Sequence, residues 1–339
     1  VPKALTSLKY FYENAPQYAI VAAGSLLGVA LHQGTSFPVG KVDFLDLYPL
    51  NFREFLCAMG EKQFVSMLDS CDTQMVTVFK TKYIERLREY YFVGGMPEVV
   101  KDFSEKKDYN RVRAIQKNLI NYYQQDFSKH AEIKLVPRLN LVWNSIPMQL
   151  AKENKKYIYG QVRGGSRAKD FELAIQWLLD CGLIHKVQRI QKPDLPLKAY
   201  IDFDAFKLFL VDIGLLIAMT DLDAKVIIEG NKIFTEFKGS LTEQYILQQL
   251  ISDVGVIPYY YSTQNSKGEI DFLVQGKTSV IPIEVKAEEN LKAKSLKAFC
   301  EKYQPSYAVR TSMSDYREQD WMTNIPLYAV KWIKNYVNQ

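Results

Sequence analysis

Apolar residues recur at helical spacing through much of the first 180 positions, and give way to short continuous or alternating runs toward the C-terminus. A helix is expected over roughly 3–13, with Leu5, Leu8 and Tyr12 at helical spacing. The continuous run from Tyr18 to Ala23, ending at Gly24 and Ser25, predicts a buried strand of the parallel type. A second short strand, Val42 to Leu47, leads through Pro49 into a helix carrying Phe52, Phe55 and Leu56. From about 61 to 134 the pattern is helical. Tyr83, Ile84, Leu87 and Tyr91 share a helix that Gly94 and Gly95 break, and Val112, Ile115, Leu119 and Tyr122 mark another over about 108–127.

Residues 135–200 give the order of a winged helix-turn-helix. Leu139, Val142, Trp143 and Ile146 line one helix, and Met148 to Glu153 reads as a short second one. Ser166 can cap a third helix through Phe171, Ile175, Trp177 and Leu178, and Gly182 suits its C′ position. Leu183 to Ile190 follows as a wing strand. Asp212 to Leu216 closes the helical part and carries no evident chemistry. Beyond about 225 the order is a helix containing Glu243, a strand at Tyr259–Tyr261, a hairpin, a Lys292–Lys302 helix, a Tyr307–Arg310 strand and a last strand near Pro326–Val330.

The hairpin carries the most chemistry. Two apolar runs flank a Gly276-Lys277-Thr278-Ser279 turn. A loop of those four residues pairs Gln275 with Val280, and counting outward sets Asp271 opposite Glu284. Glu284 and Lys286 are two apart and leave the same face of their strand. Two carboxylates and an ammonium then converge inside an apolar sheet, where charges are costly unless paired with each other or with a metal ion. Oxygen ligands of this kind suit Mg²⁺. The lysine can hold a water or stabilise charge developing on a phosphate. A plain ion-pair cluster accounts for the same residues.

Asp271 followed by Glu284-Val285-Lys286 resembles the D…(D/E)-x-K motif of the restriction-endonuclease-like, PD-(D/E)XK, superfamily, with Ile270 where that motif often has proline. The resemblance implies that Asp271 and Glu284 bind Mg²⁺ with the Val285 carbonyl and the helical acid Glu243, and that Lys286 positions or activates the attacking water. A second resemblance runs along nearly the whole chain in short segments. Val1–Leu5, Gly24-Ser25, Gly40-Lys41-Val42, Tyr48–Phe55 and Gly94–Glu98 are similar to the AAA-like ATPases that carry a C-terminal domain of unknown function. The implied fold is a multi-domain α/β chain. It has a partial P-loop ATPase α/β remnant at 1–60, a helical lid or linker at 61–134, a winged helix-turn-helix at 135–220 and a restriction-endonuclease-like α/β domain at 221–339. The chain reads as a piece of a longer parent, with homo-oligomers forming through the ATPase part.

Gly34 to Lys41 imitates a phosphate-binding loop but does not meet its requirements. Five residues separate Gly34 from Gly40 where four are needed, Pro38 removes an amide donor, and Val42 stands where Ser or Thr would ligate Mg²⁺. ATP binding is therefore expected only of the longer parent.

Composition narrows the classes further. The chain has 339 residues, 47% hydrophobic and 24% charged, which suits a globular protein of more than one core. It lacks eighteen uninterrupted apolar residues, so no membrane span is expected. The four cysteines are scattered, which argues against zinc and disulfides and makes a reducing cytoplasm the expected setting. The three histidines form no ligand cluster. With a net charge of only +5, nucleic-acid binding requires a local patch. Such a patch lies at 151–170, where Lys155, Lys156, Arg163, Arg167 and Lys169 precede or open the third helix of the winged motif. DNA phosphates are the expected partner. A solvated basic face used for protein contacts is the alternative, just as a non-catalytic assembly module is the alternative to a nuclease.

Overall fold

The computed structural model describes residues 4–24, 40–152, 155–229, 235–263, 268–289 and 293–339. Among these the architecture is mixed α/β. Helices dominate up to Asp180, and a single sheet is built from strands β1 (Ile184–Ile190), β2 (Ile201–Leu210), β3 (Tyr259–Ser262), β4 (Glu269–Gln275), β5 (Val280–Val285), β6 (Val309–Ser312), β7 (Arg317–Glu318) and β8 (Thr323–Pro326). The spatial order is β2-β1-β3-β4-β5-β6-β8-β7. β1 runs antiparallel to β2 and parallel to β3, so the hairpin expected as a wing extends the same sheet that carries Asp271 and Glu284.

The helical region follows the periodicity closely, with helices at Lys62–Asp69, Thr73–Val78, Lys80–Val93, Pro97–Lys106 and Tyr109–His130. It is not a free arm. Tyr83 stacks on Tyr328 with ring centroids 5.0 Å apart, and the Trp332 indole donates to the Leu68 carbonyl at 2.7 Å. Gly94 and Gly95 do more than end a helix. A Cβ on Gly95 would lie 2.1 Å from the Leu50 carbonyl, and Gly94 has φ of +75° with the Asp212 carboxylate where a side chain would go. Asp212 caps the Ile213–Met219 helix and also accepts from the Gly95 amide at 2.6 Å.

Three expectations are corrected. Tyr18–Ala23 and Val42–Leu47 form no strand, and Val21, Leu45 and Leu47 are exposed. A buried parallel strand needs neighbours on both edges, and the described residues offer none there. Met148 does not start a second helix. The first one, Val136–Leu150, runs on through Pro147, and only a short turn at Tyr159–Val162 separates it from the Ala168–Asp180 helix. The last strand ends at Pro326, where a 3₁₀ segment, Leu327–Trp332, begins. The stop at Gly182 is as expected: φ is +66°, and Leu183 donates to Leu178 while Gly182 donates to Leu179. Ser25 and Gly34 to Pro38 lie outside the described residues.

The Thr235–Gln249 helix occupies the centre. Its buried polar side chains bond to backbone from distant parts of the chain: Ser240 to the Leu150 carbonyl, Gln244 to both amide and carbonyl of Leu210, Gln248 to the Ile213 amide, and Gln249 to the Phe52 amide. Replacing Gln244 with Ala strands two buried backbone groups. A loss of about 2–4 kcal/mol in unfolding free energy is expected, measured by chemical denaturation.

Candidate active site

The turn at Gly276–Ser279 sets the register of β4 and β5, with Gln275 opposite Val280 and Phe272 opposite Ile283. Along the β3 edge, however, Tyr259 pairs with Leu273 and Tyr261 with Ile270, so three steps of β4 face two of β3. That bulge falls at Asp271 and Phe272. Bulges re-aim side chains, and here the Asp271 carboxylate accepts from the Val285 amide at 2.7 Å.

Around this point the structure collects charge. Glu284, only 5% exposed, is paired with Lys286 at 2.6 Å, which fixes both side chains on one face of β5 and its continuation. Glu243, also 5% exposed, reaches in from the Thr235–Gln249 helix and pairs with Lys155. Lys207 of β2 is fully buried. It binds Glu269 of β4, lies 3.7 Å from Glu243, and covers the Tyr260 ring at 4.8 Å. One oxygen each of Glu243 and Glu284 is buried without a hydrogen-bond partner.

The electrostatics follow from this crowding. Burial, then the nearby charges of Glu243 and Glu284, pushes Asp271 well above the usual carboxylate range. Burial also raises Glu284, against the pull of Lys286. Glu243 is held below its usual value because Lys155 and Lys207 outweigh its burial. Lys207 itself is raised, since Glu243 and Glu269 outweigh its burial. Thus carboxylates on three elements are crowded together, and Lys155, Lys207 and Lys286 pair with Glu243, Glu269 and Glu284.

Asp271, Glu284, Lys286 and Glu243 are therefore brought together, along with the Val285 backbone. Sequence reasoning missed Lys207 and Glu269. Lys207 had a signal, as a lone charge inside the apolar run Phe206–Leu210. The basic segment divides. Arg163, Arg167 and Lys169 are exposed, but Lys156 is half-buried and Lys155 turns inward to Glu243, away from the solvated face expected for it. The Arg167 amide is taken by Asp170, so an acid already sits at the start of the Ala168–Asp180 helix. On the helix expected over Lys292–Lys302, Lys294 and Lys297 are exposed, and Lys292 lies outside the described residues. Burial holds the His185 imidazole down at about 4.

Among the described residues, no three His, Cys, Asp or Glu side chains stand ready as a metal cage. The donor chemistry still fits a hard divalent cation: the oxygens are carboxylates, and two of them are buried without a hydrogen bond.

Residues 1–56 match an AAA domain, which supports a kinship with the AAA-like ATPases. Residues 84–226 match a domain of unknown function, DUF8612. Residues 238–330 match another, DUF4143, which commonly follows an AAA domain. No curated protein and no solved structure matches the chain. The charged cluster draws on both matched regions after the AAA segment: Lys155 and Lys207 fall in one, Glu243, Glu269, Asp271, Glu284 and Lys286 in the other. Among the described residues, no helix is long and apolar enough to cross a membrane.

Asp271 gives a pH-dependent prediction. Its folded-state pKa is raised above the ordinary 3.8, so its contribution favours the fold at low pH and is lost as pH rises through the folded value. An asparagine oxygen can still accept from Val285 but carries no charge. Asp271→Asn should therefore raise the thermal midpoint at neutral pH, with the gain vanishing below about pH 4. Scanning fluorimetry across pH measures it, and equal midpoints at every pH would refute it.

Proposed function

We propose that this chain is an AAA-family protein whose C-terminal part carries a divalent-cation-dependent phosphodiesterase site of the PD-(D/E)XK nuclease type, with DNA as its substrate. The observation that carries the reading is the buried Glu284, which leaves one oxygen without a hydrogen bond, beside Lys286 and next to the Val285 amide that Asp271 binds. A purely structural ion-pair cluster has little use for a buried, unsatisfied carboxylate oxygen, which costs free energy.

In this reading Asp271, Glu284 and the Val285 carbonyl hold Mg²⁺, with Glu243 contributing from its helix. A bound Mg²⁺ would supply Lewis acidity toward a phosphate oxygen and lower the pKa of a coordinated water. Lys286, tethered by Glu284, would orient the attacking water or stabilise charge on the phosphate. Arg163, Arg167 and Lys169 offer exposed charge for the DNA backbone, and Lys156 and Lys155 flank the approach from the site side. The Gly34–Lys41 spacing gives no phosphate cradle, so nucleotide chemistry is not assigned to that stretch.

A second reading has its own observation. Lys155, Lys207 and Lys286 already compensate the carboxylates, as they would in a non-catalytic assembly module. Calorimetric titration separates the two. Mg²⁺ or Mn²⁺ should bind the wild-type chain, and Glu284→Ala should abolish both that binding and Mg²⁺-dependent cleavage of duplex DNA. A folded wild type that takes up no divalent cation would leave the assembly reading standing.

The DNA surface has a separate test. Changing Arg163, Arg167 and Lys169 to Ala should flatten the log–log salt dependence of DNA affinity by about 0.9 per lost phosphate contact. The fold should survive because these side chains are exposed. Fluorescence anisotropy at several salt concentrations measures the slope, and an unchanged slope would exclude this face.

A further inference from the structure

The cluster holds more cationic compensation at Glu243 than that carboxylate needs. Lys155 pairs with one of its oxygens and Lys207 stands 3.7 Å from the other, which has no hydrogen-bond partner although the side chain is only 7% exposed. The two lysines differ in how firmly they are fixed. Lys207 lies inside β2, fully buried and bound to Glu269 as well. Lys155 lies outside any helix or strand, its side chain is 12% exposed, and it pairs with Glu243.

The position of Lys155 is nevertheless built. Two residues on, the Tyr157 amide donates to the Phe206 carbonyl at 2.8 Å and its ring stacks on Phe206, with centroids 5.5 Å apart. Gln149 holds both the amide and the carbonyl of Ile158. These bonds deliver the root of Lys155 to the rim of the site whether or not its ammonium stays on Glu243.

From this we infer that Lys155 is a tethered counter-ion that takes the place of a divalent cation at Glu243 and is displaced from it when the cation binds. The inference rests on the reading of Asp271, Glu284 and Glu243 as a cation site, and it assigns Lys155 a role in setting that site's affinity. The physical reason is competition for one anion. An ammonium on one Glu243 oxygen and a divalent ion on the other stand only a carboxylate's width apart, and in a poorly solvated site they repel strongly. With Lys155 on Glu243, the site can stay neutral and folded without metal. Releasing it relieves that repulsion and places a mobile positive charge at the site's entrance, where a phosphate would arrive.

The test uses the full chain with Mn²⁺ as the probe. Calorimetry is run on the wild type, Lys155→Met, Glu243→Gln and the double variant, with circular dichroism to confirm folding. Lys155→Met keeps the aliphatic stem, and Lys155→Gln serves as a second variant if methionine misfolds. Loss of the competing charge should tighten Mn²⁺ binding about tenfold, and the gain should disappear in the Glu243→Gln background. In the wild type, saturating Mn²⁺ should also increase acetylation of Lys155 by an amine-reactive reagent, mapped by mass spectrometry. Unchanged or weaker binding in the lysine variants, or acetylation of Lys155 that does not respond to Mn²⁺, overturns the counter-ion role and leaves the cation site intact. Folded wild-type and variant chains that bind no Mn²⁺ overturn the cation site and the counter-ion role together.

Discussion

The burial of one polar helix constrains most of this molecule. Thr235–Gln249 is packed inside the protein yet carries Ser240, Thr242, Glu243, Gln244, Gln248 and Gln249 as buried residues. Buried amides and hydroxyls must be bonded or they cost free energy. Each of these glutamines therefore fixes backbone that belongs to another part of the chain. Phe52 at the start of the helical region, Leu210 at the end of β2 and Ile213 at the next helix are all anchored on it. The Tyr90 hydroxyl joins the same network, accepting from Gln248 and donating to the Leu50 carbonyl. Regions far apart in sequence are thereby held in register with one helix.

That helix also sets the site. Glu243 lies next to Gln244 in sequence, and Gln244 locks β2 at Leu210. Holding β2 in this way brings Lys207, three residues earlier, within reach of Glu243 and Glu269. The bulge in β4 then turns Asp271 toward the Val285 amide, and β5 offers Glu284 and Lys286 on one side. The result stores unfavourable electrostatics. Asp271 and Glu284 are both pushed toward protonation by burial and by neighbouring acids. Such crowding costs stability.

The basic segment shows how one stretch of sequence can serve two surfaces. Lys155 points inward to a carboxylate, whereas Arg163, Arg167 and Lys169 face solvent a few residues later. Tyr157 divides them, since its amide joins the Phe206 backbone and its ring packs on the Phe206 side chain. The charged site and the surface proposed for DNA are therefore joined by a short stretch of chain.

Local pattern alone determined the helices of 61–134, the Gly182 stop and the pairing of Gln275 with Val280, because periodicity, capping and turn length act over a few residues. The charges on the hairpin were legible for the same reason: strand alternation places Glu284 and Lys286 on one face whatever surrounds them. Tertiary structure alone decided the rest. The apolar runs at 18–23 and 42–47 look like strands, but a strand exists only with a partner to bond, and none is present among the described residues. Nor does composition distinguish Lys155 from Arg163. One is withdrawn to Glu243 and the other left in water because long-range packing, not local sequence, chooses where a buried carboxylate lies. Lys207 meets Glu269 across a sequence separation of 62 residues, a contact that only the assembled sheet can make.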